Sequence, residues 1–255
     1  MGSERGPRIG AEAFAEASNS QTTQDIKKEG EVITENLDRK ETFLFSSTTA
    51  ERRAELTRSV EGIIADPDKY IDSGGAADVY RFSSDQICIK VFKGHKSRQE
   101  KKTGIDYVGT EARITLRLTG VEVDGVRSPM CYGYWKSDTD GRSAIIMEEL
   151  DAINLQHVFN GNAQLPSGFD LDTFVDSLYS YIDYLHTEHN IIHGDLFARN
   201  VMVDKQTGLP RVIDFGESKS VNHTLEEDRR RLENADTDNI DAIYDKLEAL
   251  TKSIN

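Results

Sequence analysis

Cysteine is almost missing from this chain: Cys88 and Cys131 are its only two in 255 residues. That excludes a disulfide framework, and no Cys/His pairs fall at zinc-ligand spacing. Two cysteines placed in apolar, strand-like runs point to a reducing compartment. No apolar run reaches the roughly 18 residues a membrane span needs. No charged-then-apolar leader opens the chain, and Gly6 stands where an N-myristoylation signal carries Ser or Thr. The cytoplasm is the expected compartment, or a host cytosol if the protein is exported. Basic residues are outnumbered: 31 Lys and Arg face 45 Asp and Glu, a net charge of −14. Such a balance argues against a nucleic-acid-binding surface as the main feature. The local exception is Lys90, Lys93, Lys96, Arg98, Lys101 and Lys102, which suit a solvated strand–helix connection. Hydrophobic residues make up only 37%, diluted by a first segment without sustained apolar periodicity. Residues 1–46 therefore read as a disordered tail. There are no internal repeats.

What is present is concentrated. His193-Gly194-Asp195-Leu196-Phe197-Ala198-Arg199-Asn200 is followed by two short apolar strands, Val201–Val203 and Arg211–Ile213. The polar turn Asp204-Lys205-Gln206-Thr207-Gly208 joins them, and Asp214-Phe215-Gly216 comes next. Each polar group has a chemical task. Asp195 would sit beside an attacking hydroxyl. Asn200, five residues on across a tight loop, and Asp214, at the end of a strand, would hold Mg²⁺ bridging the phosphates of ATP. Phosphoryl transfer needs positioning and charge neutralisation more than covalent chemistry, and this set supplies both. Asp-Phe-Gly alone would be a weak signal; the extended pattern is a strong one.

The upstream half agrees. Ile87-Cys88-Ile89-Lys90-Val91-Phe92 is an apolar strand with one Lys in its middle. It follows a small-residue turn, Ser73-Gly74-Gly75-Ala76, between strands that carry Ile71 and Val79. Such a turn lets backbone N–H groups approach phosphates unobstructed. Lys90 would then reach the phosphates as a point charge. Glu111, one strand–helix unit later, is the best partner for Lys90, with Glu100 the weaker alternative.

The remaining layout follows from pattern. Thr48-Thr49-Ala50-Glu51 reads as a capping box opening a helix, with Leu56, Val60, Ile63 and Ile64 at helical spacing and Asp66-Pro67 closing it. An antiparallel sheet is expected over about 69–73, 78–83, 86–92, 129–136 and 143–149. Residues 171–189 read as a helix with Phe174, Leu178, Ile182 and Leu185 on one face.

On these residues the chain resembles the protein-kinase-like superfamily, from about Tyr70 to Leu247, and most closely its small atypical branch, the RIO and KEOPS-complex kinases. Ser73-Gly74-Gly75-Ala76-Ala77-Asp78-Val79-Tyr80 is similar to the S/T-G-K-E-A-D/N-V-Y of RIO proteins. Only Gly74 holds a glycine position of the ordinary G-x-G-x-x-G loop. Gly194 replaces the Arg of H-R-D. The stretch after Gly216 has no A-P-E and no room for a long helical lower lobe, while Asp236–Ile243 is similar to the pattern closing RIO domains. The resemblance implies an α+β, two-lobed kinase-like fold with a truncated C-terminal lobe: a flanking helix over 47–68, an N-lobe over 69–147 and a C-lobe over 151–255. It makes Met147 the gatekeeper and places the backbone of Glu148 and Leu150 against adenine. Phe197 stands where Ser/Thr kinases carry Lys. Arg199, at its tyrosine-kinase position, either supplies that missing charge or bonds nearby carbonyls. Ser218, Ser220 and Thr224 are the candidate autophosphorylation sites.

Three functions compete: an ATP-dependent kinase acting on protein hydroxyls, its own included; a small-molecule kinase of the aminoglycoside or sugar type; and a nucleotide-dependent switch or scaffold. The intact Asp-Phe-Gly favours the first. Retention of Lys90, Glu111, Asp195, Asn200 and Asp214 together argues against the third.

Overall fold

The computed structural model describes residues 43–44, 58–83, 86–93, 107–136, 142–221 and 226–254. The capping box at Thr48, most of the expected tail, Glu100, Thr224 and the basic residues from Lys96 to Lys102 lie outside them.

The upper lobe is a six-stranded antiparallel sheet. Its strands are β1 (Phe43–Leu44), β2 (Tyr70–Ser73), β3 (Ala77–Ser83), β4 (Ile87–Phe92), β7 (Cys131–Lys136) and β8 (Ser143–Glu148), in the order β1-β7-β8-β4-β3-β2. β1 falls inside the segment expected to be a tail and pairs with β7, Phe43 against Tyr134. Both faces of the sheet are covered. On one, α1 (residues 58–64) brings Val60, with Ile63 and Ile64 at i+3 and i+4, against Ile89, Val91, Trp135, Ala144 and Ile146. On the other, α2 (Tyr107–Arg117) lays Val108, Ala112 and Leu116 against Ala77, Phe92, Cys131, Tyr134 and Ile145.

Strand alternation then decides where Lys90 goes. Ile89 and Val91 point to the α1 face, so Lys90 and Phe92 point to the α2 face. Glu111 is three residues after Val108, on the same stripe of α2. Period 2 and period 3.6 thus converge on one ion pair.

The lower lobe is built on α4 (Leu171–Thr187), which follows the single-turn helix α3 (Leu155–Phe159). Asp170 caps α4 by accepting from the Thr173 N–H at 2.7 Å. Phe174, Val175, Leu178, Tyr181, Ile182 and Leu185 form its buried stripe; each large apolar side chain so buried contributes about 1.5–3 kcal/mol. A second sheet joins β5 (Glu122–Val123), β6 (Val126–Arg127), β9 (Ala152–Asn154), β11 (Val201–Asp204) and β12 (Pro210–Val212), in the order β5-β6-β12-β11-β9. A short pair, β10 (Ile191–Ile192) with β13 (Lys219–Ser220), brackets the stretch that carries the polar motif.

The chain then forms α5 (Glu226–Ile254), a 29-residue helix for which the sequence pattern gave no expectation. Ile240, Ile243 and Leu247 seat it in the same core as α4. Glu226, Glu227 and Asp228 in its first turn complement the positive end of the helix dipole.

Candidate active site

Lys90 and Glu111 meet as their elements dictate. The Lys90 ammonium donates to Glu111 Oε1 at 2.6 Å and to Asp214 Oδ1 at 2.8 Å. Glu111 is only 2% exposed, so either partner alone would be a buried, uncompensated charge. Burial works against the charge on Lys90, but the two carboxylates outweigh it and raise its pKa above the ordinary lysine value. Burial likewise pushes Asp214 up, and Lys90 overcomes this to hold it below the usual carboxylate range. Asp214 adopts φ 64°, a left-handed setting uncommon for a non-glycine residue and a mark of a constrained site. Gly216 permits the cluster to close: a Cβ there would lie 3.2 Å from both Asp214 Oδ1 and Glu111 Oε2.

The second cluster is the loop after β10. Asn200 sits in a 3₁₀ turn, Ala198–Asn200, and is buried. Its amide nitrogen donates to the Asp195 backbone oxygen at 2.7 Å and to Asp195 Oδ2 at 2.8 Å. The amide oxygen is thereby turned away from Asp195. The Arg199 guanidinium donates to Asp195 Oδ1 at 2.5 Å and lies 4.7 Å from the centre of the Phe197 ring. It therefore bonds the carboxylate rather than nearby carbonyls. Phe197 itself is 44% exposed beside Asp195. The two clusters are joined through Ile213, whose N–H donates to Asn200 O at 2.9 Å and whose oxygen accepts from the His193 ring at 3.1 Å.

His193 holds the loop through both ring nitrogens. Because a carbonyl only accepts, Nε2 carries the proton; Nδ1 then accepts from the Asp195 N–H at 3.3 Å. Its ring packs 4.9 Å from that of Phe215. Burial lowers its pKa from 6.5. The unfolded chain takes up a proton near pH 6.5 that the native imidazole refuses, so this contribution to stability is complete above that pH and shrinks as the pH falls. Thermal melts at about pH 7.5 and about pH 5.5 should show this loss in the wild type and a smaller one in His193→Gln.

Two residues noted in the sequence have structural roles that it did not state. Asp236, 0% exposed on α5, accepts from the backbone N–H of His193 at 2.8 Å and of Gly194 at 3.0 Å, and it bonds His186 Nε2 at 3.0 Å. The available signal was an acid four residues before Ile240, on the face that continues to Ile243 and Leu247. Gly194, where an Arg is usual, has φ 75°, and a Cβ would stand 2.8 Å from Glu217 O. Ser218, a candidate for autophosphorylation, is buried with its hydroxyl donating to His193 O, while Ser220 is exposed.

Met147 lies on β8, half-buried, in register with Cys88 and Cys131. Glu148 donates its N–H to Met130 O, and its carboxylate takes a bidentate pair from Arg127 at 2.5 and 2.7 Å. Leu150 follows at the start of the connection to β9. Ile71, Ser73, Gly74 and Gly75 are exposed on the turn above, with Ala76 and Val79 half-buried. Both cysteines are free and buried, and burial pushes each thiol up to about 12.

Among the described residues no group of three or more His, Cys, Asp or Glu side chains could hold a metal by itself. The Asn200 amide oxygen and the Asp214 carboxylate are hard oxygens. Such a pair suits a Mg²⁺ that takes its other ligands from phosphates and water.

A strand-borne Lys paired to a helix-borne Glu and a turn Asp, over a loop Asp braced by Asn, defines a nucleotide-dependent phosphotransferase. The chain belongs to the protein kinase domain family, which residues 67–236 match. It is an ATP-dependent phosphotransferase with a mixed α+β kinase fold. No curated protein matches it. Among the described residues, no helix is long and apolar enough to cross a membrane.

Proposed function

We propose that the chain is a minimal atypical protein kinase that moves the γ-phosphoryl group of ATP to a protein hydroxyl, its own included. The observation that carries this reading is the three-way contact of Lys90 with Glu111 and Asp214, formed in the same fold that braces Asp195 through Asn200. In this reading Asp195 orients the acceptor hydroxyl and takes its proton as the O–P bond forms. The bond from the γ-phosphorus to the β-phosphate oxygen breaks, and ADP leaves. Lys90 holds the α- and β-phosphates, and Glu111 holds Lys90. Asn200 and Asp214 would hold Mg²⁺, which when bound neutralises phosphate charge. Met147, Glu148 and Leu150 line the adenine end, under Ile71 and Val79. Arg199 places a cation beside the transferred group, where Ser/Thr kinases use the Lys replaced here by Phe197. The small-residue turn and His-Gly-Asp-Leu support placement near the RIO and KEOPS-complex kinases. The two reduced, buried cysteines support a cytosolic setting.

Purified protein incubated with labelled ATP and Mg²⁺, with and without cell extract, tests the acceptor. Label on this protein or on an extract protein supports the reading. Label in small molecules alone replaces it with the aminoglycoside- or sugar-kinase alternative, and binding without turnover makes the chain a nucleotide-dependent switch. Lys90→Ala is expected to lower kcat/KM by about a hundredfold. Glu111→Gln, which only loosens Lys90, should lose about tenfold. An unchanged rate in Glu111→Gln would remove the clamp from this mechanism.

A further inference from the structure

Beside the turn Ser73-Gly74-Gly75-Ala76 stands a second lysine that the mechanism above does not use. Lys93 follows β4 directly, three residues after Lys90. Its ammonium donates to Ser73 Oγ at 2.8 Å and to Gly74 O at 2.8 Å. It also lies 3.1 Å from Asp78 Oδ1. An ammonium has three N–H donors, and here three acceptors consume them. The acceptors come from both sides of the turn: Ser73 and Gly74 where β2 ends, Asp78 where β3 begins. The Ser73 hydroxyl donates in turn to Asp78 Oδ1 at 2.6 Å. Two backbone bonds close the same turn, Gly74 N to Ala77 O at 2.8 Å and Lys93 N to Ala76 O at 2.9 Å.

This network answers two difficulties of a phosphate-cradling turn made of Gly74, Gly75 and Ala76. Glycines lose the most conformational freedom on ordering, so a loose turn would lower nucleotide affinity by the cost of being fixed. A Cβ at Gly75 would meet nothing within 4 Å, so packing of neighbours does not hold that position. The second difficulty is charge. Asp78 places a carboxylate at the edge of a site meant for polyphosphate. Burial pushes its pKa up, but the Ser73 hydroxyl and Lys93 hold it below the usual range, so it is an anion that needs a partner.

We propose that Lys93 is a positioning residue for the nucleotide's phosphates. It pins the turn in its receiving shape before ATP arrives and cancels the Asp78 charge that would repel the phosphates. The proposal rests on the reading that this turn cradles the phosphates. Its selectivity follows from its place: it acts on the phosphate end of the ligand and not on the adenine end, which lies under Met147 and Glu148.

The test compares calorimetric affinities of the full chain for ATP, ADP and adenosine, with steady-state kinetics alongside. Lys93→Met is expected to weaken ATP and ADP by about five- to tenfold and adenosine by less than about twofold. The loss in transfer should fall on KM for ATP rather than on kcat. Lys93→Arg should restore ATP affinity to within about threefold. Adding Asp78→Asn to Lys93→Met should recover part of the ATP affinity, because it removes the uncompensated anion. Equal losses for adenosine and ATP would show a contact that merely supports the sheet and would overturn the proposal. So would unchanged ATP affinity in Lys93→Met. Lys90→Ala serves as the reference. If it weakens ATP while Lys93→Met does not, the pin alone fails; if neither does, the nucleotide reading of the cleft fails with it.

Discussion

Asp195→Asn is expected to lower phosphoryl transfer by about 10²–10⁴-fold while leaving ATP affinity within about twofold of wild type. The separation follows from geometry. Asp195 contacts Arg199 and Asn200, not the Lys90 cluster, so its charge serves the acceptor and the loop rather than the nucleotide anchor. The amide that replaces it can still bond Arg199 through its oxygen, but it cannot take a proton from a hydroxyl. Single-turnover transfer measured beside ATP titration checks the claim. Transfer retained within about tenfold, roughly 1.4 kcal/mol of barrier, would take Asp195 out of the acceptor role.

Asp236→Ala should destabilise the protein by about 3–5 kcal/mol and abolish transfer with it. The carboxylate serves three donors from a site without solvent. Its removal leaves two backbone N–H groups and a histidine without their acceptor, each a desolvation cost that nothing repays. Asp236→Asn keeps the volume and one acceptor oxygen, so it should fall between the two in urea unfolding and in activity. An Asp236→Ala protein that unfolds at the wild-type denaturant concentration would show that α5 does not hold the loop.

The upper lobe was legible because two periodicities state it openly. An apolar run with Lys90 in the middle puts one charge on a strand face, and Glu111, which shares a helix stripe with Val108, Ala112 and Leu116, is the carboxylate that can meet it. The polar motif was legible for a similar reason: strand, turn and strand between Asn200 and Asp214 leave little freedom in where the two ends fall. α5 was not legible as a helix. Its buried face is Asp236, Ile240, Ile243 and Leu247, three apolar residues in a run otherwise dominated by charge, and the one buried acid hides the start of the stripe. Gly194 read as the loss of an arginine. In the structure it is also a steric requirement, because the Glu217 carbonyl occupies the space a side chain would need. Such facts depend on what the chain brings near from elsewhere, and local pattern does not contain them. The pairing of Arg199 with Asp195 was missed for the same reason: spacing of four permits it, but only the turn at Ala198–Asn200 makes it.

The hairpin of β5 and β6 has a mechanical meaning. It leaves α2 and, instead of joining the upper sheet, pairs β6 alongside β12 in the lower one, Arg127 against Arg211. Arg211 donates to Gly125 O at 2.5 Å, Tyr181 bonds Ser128 at 2.7 Å, and Arg127 grips Glu148. The chain thus crosses between the lobes at the β8–β9 connection and at this hairpin, and the Lys90–Asp214 and Arg117–His189 contacts add side-chain ties. A lid hung by one strap can swing and also swivel; one hung by two can only swing, about the line that joins them. Two chain crossings restrict twisting of one lobe on the other more than a single crossing would.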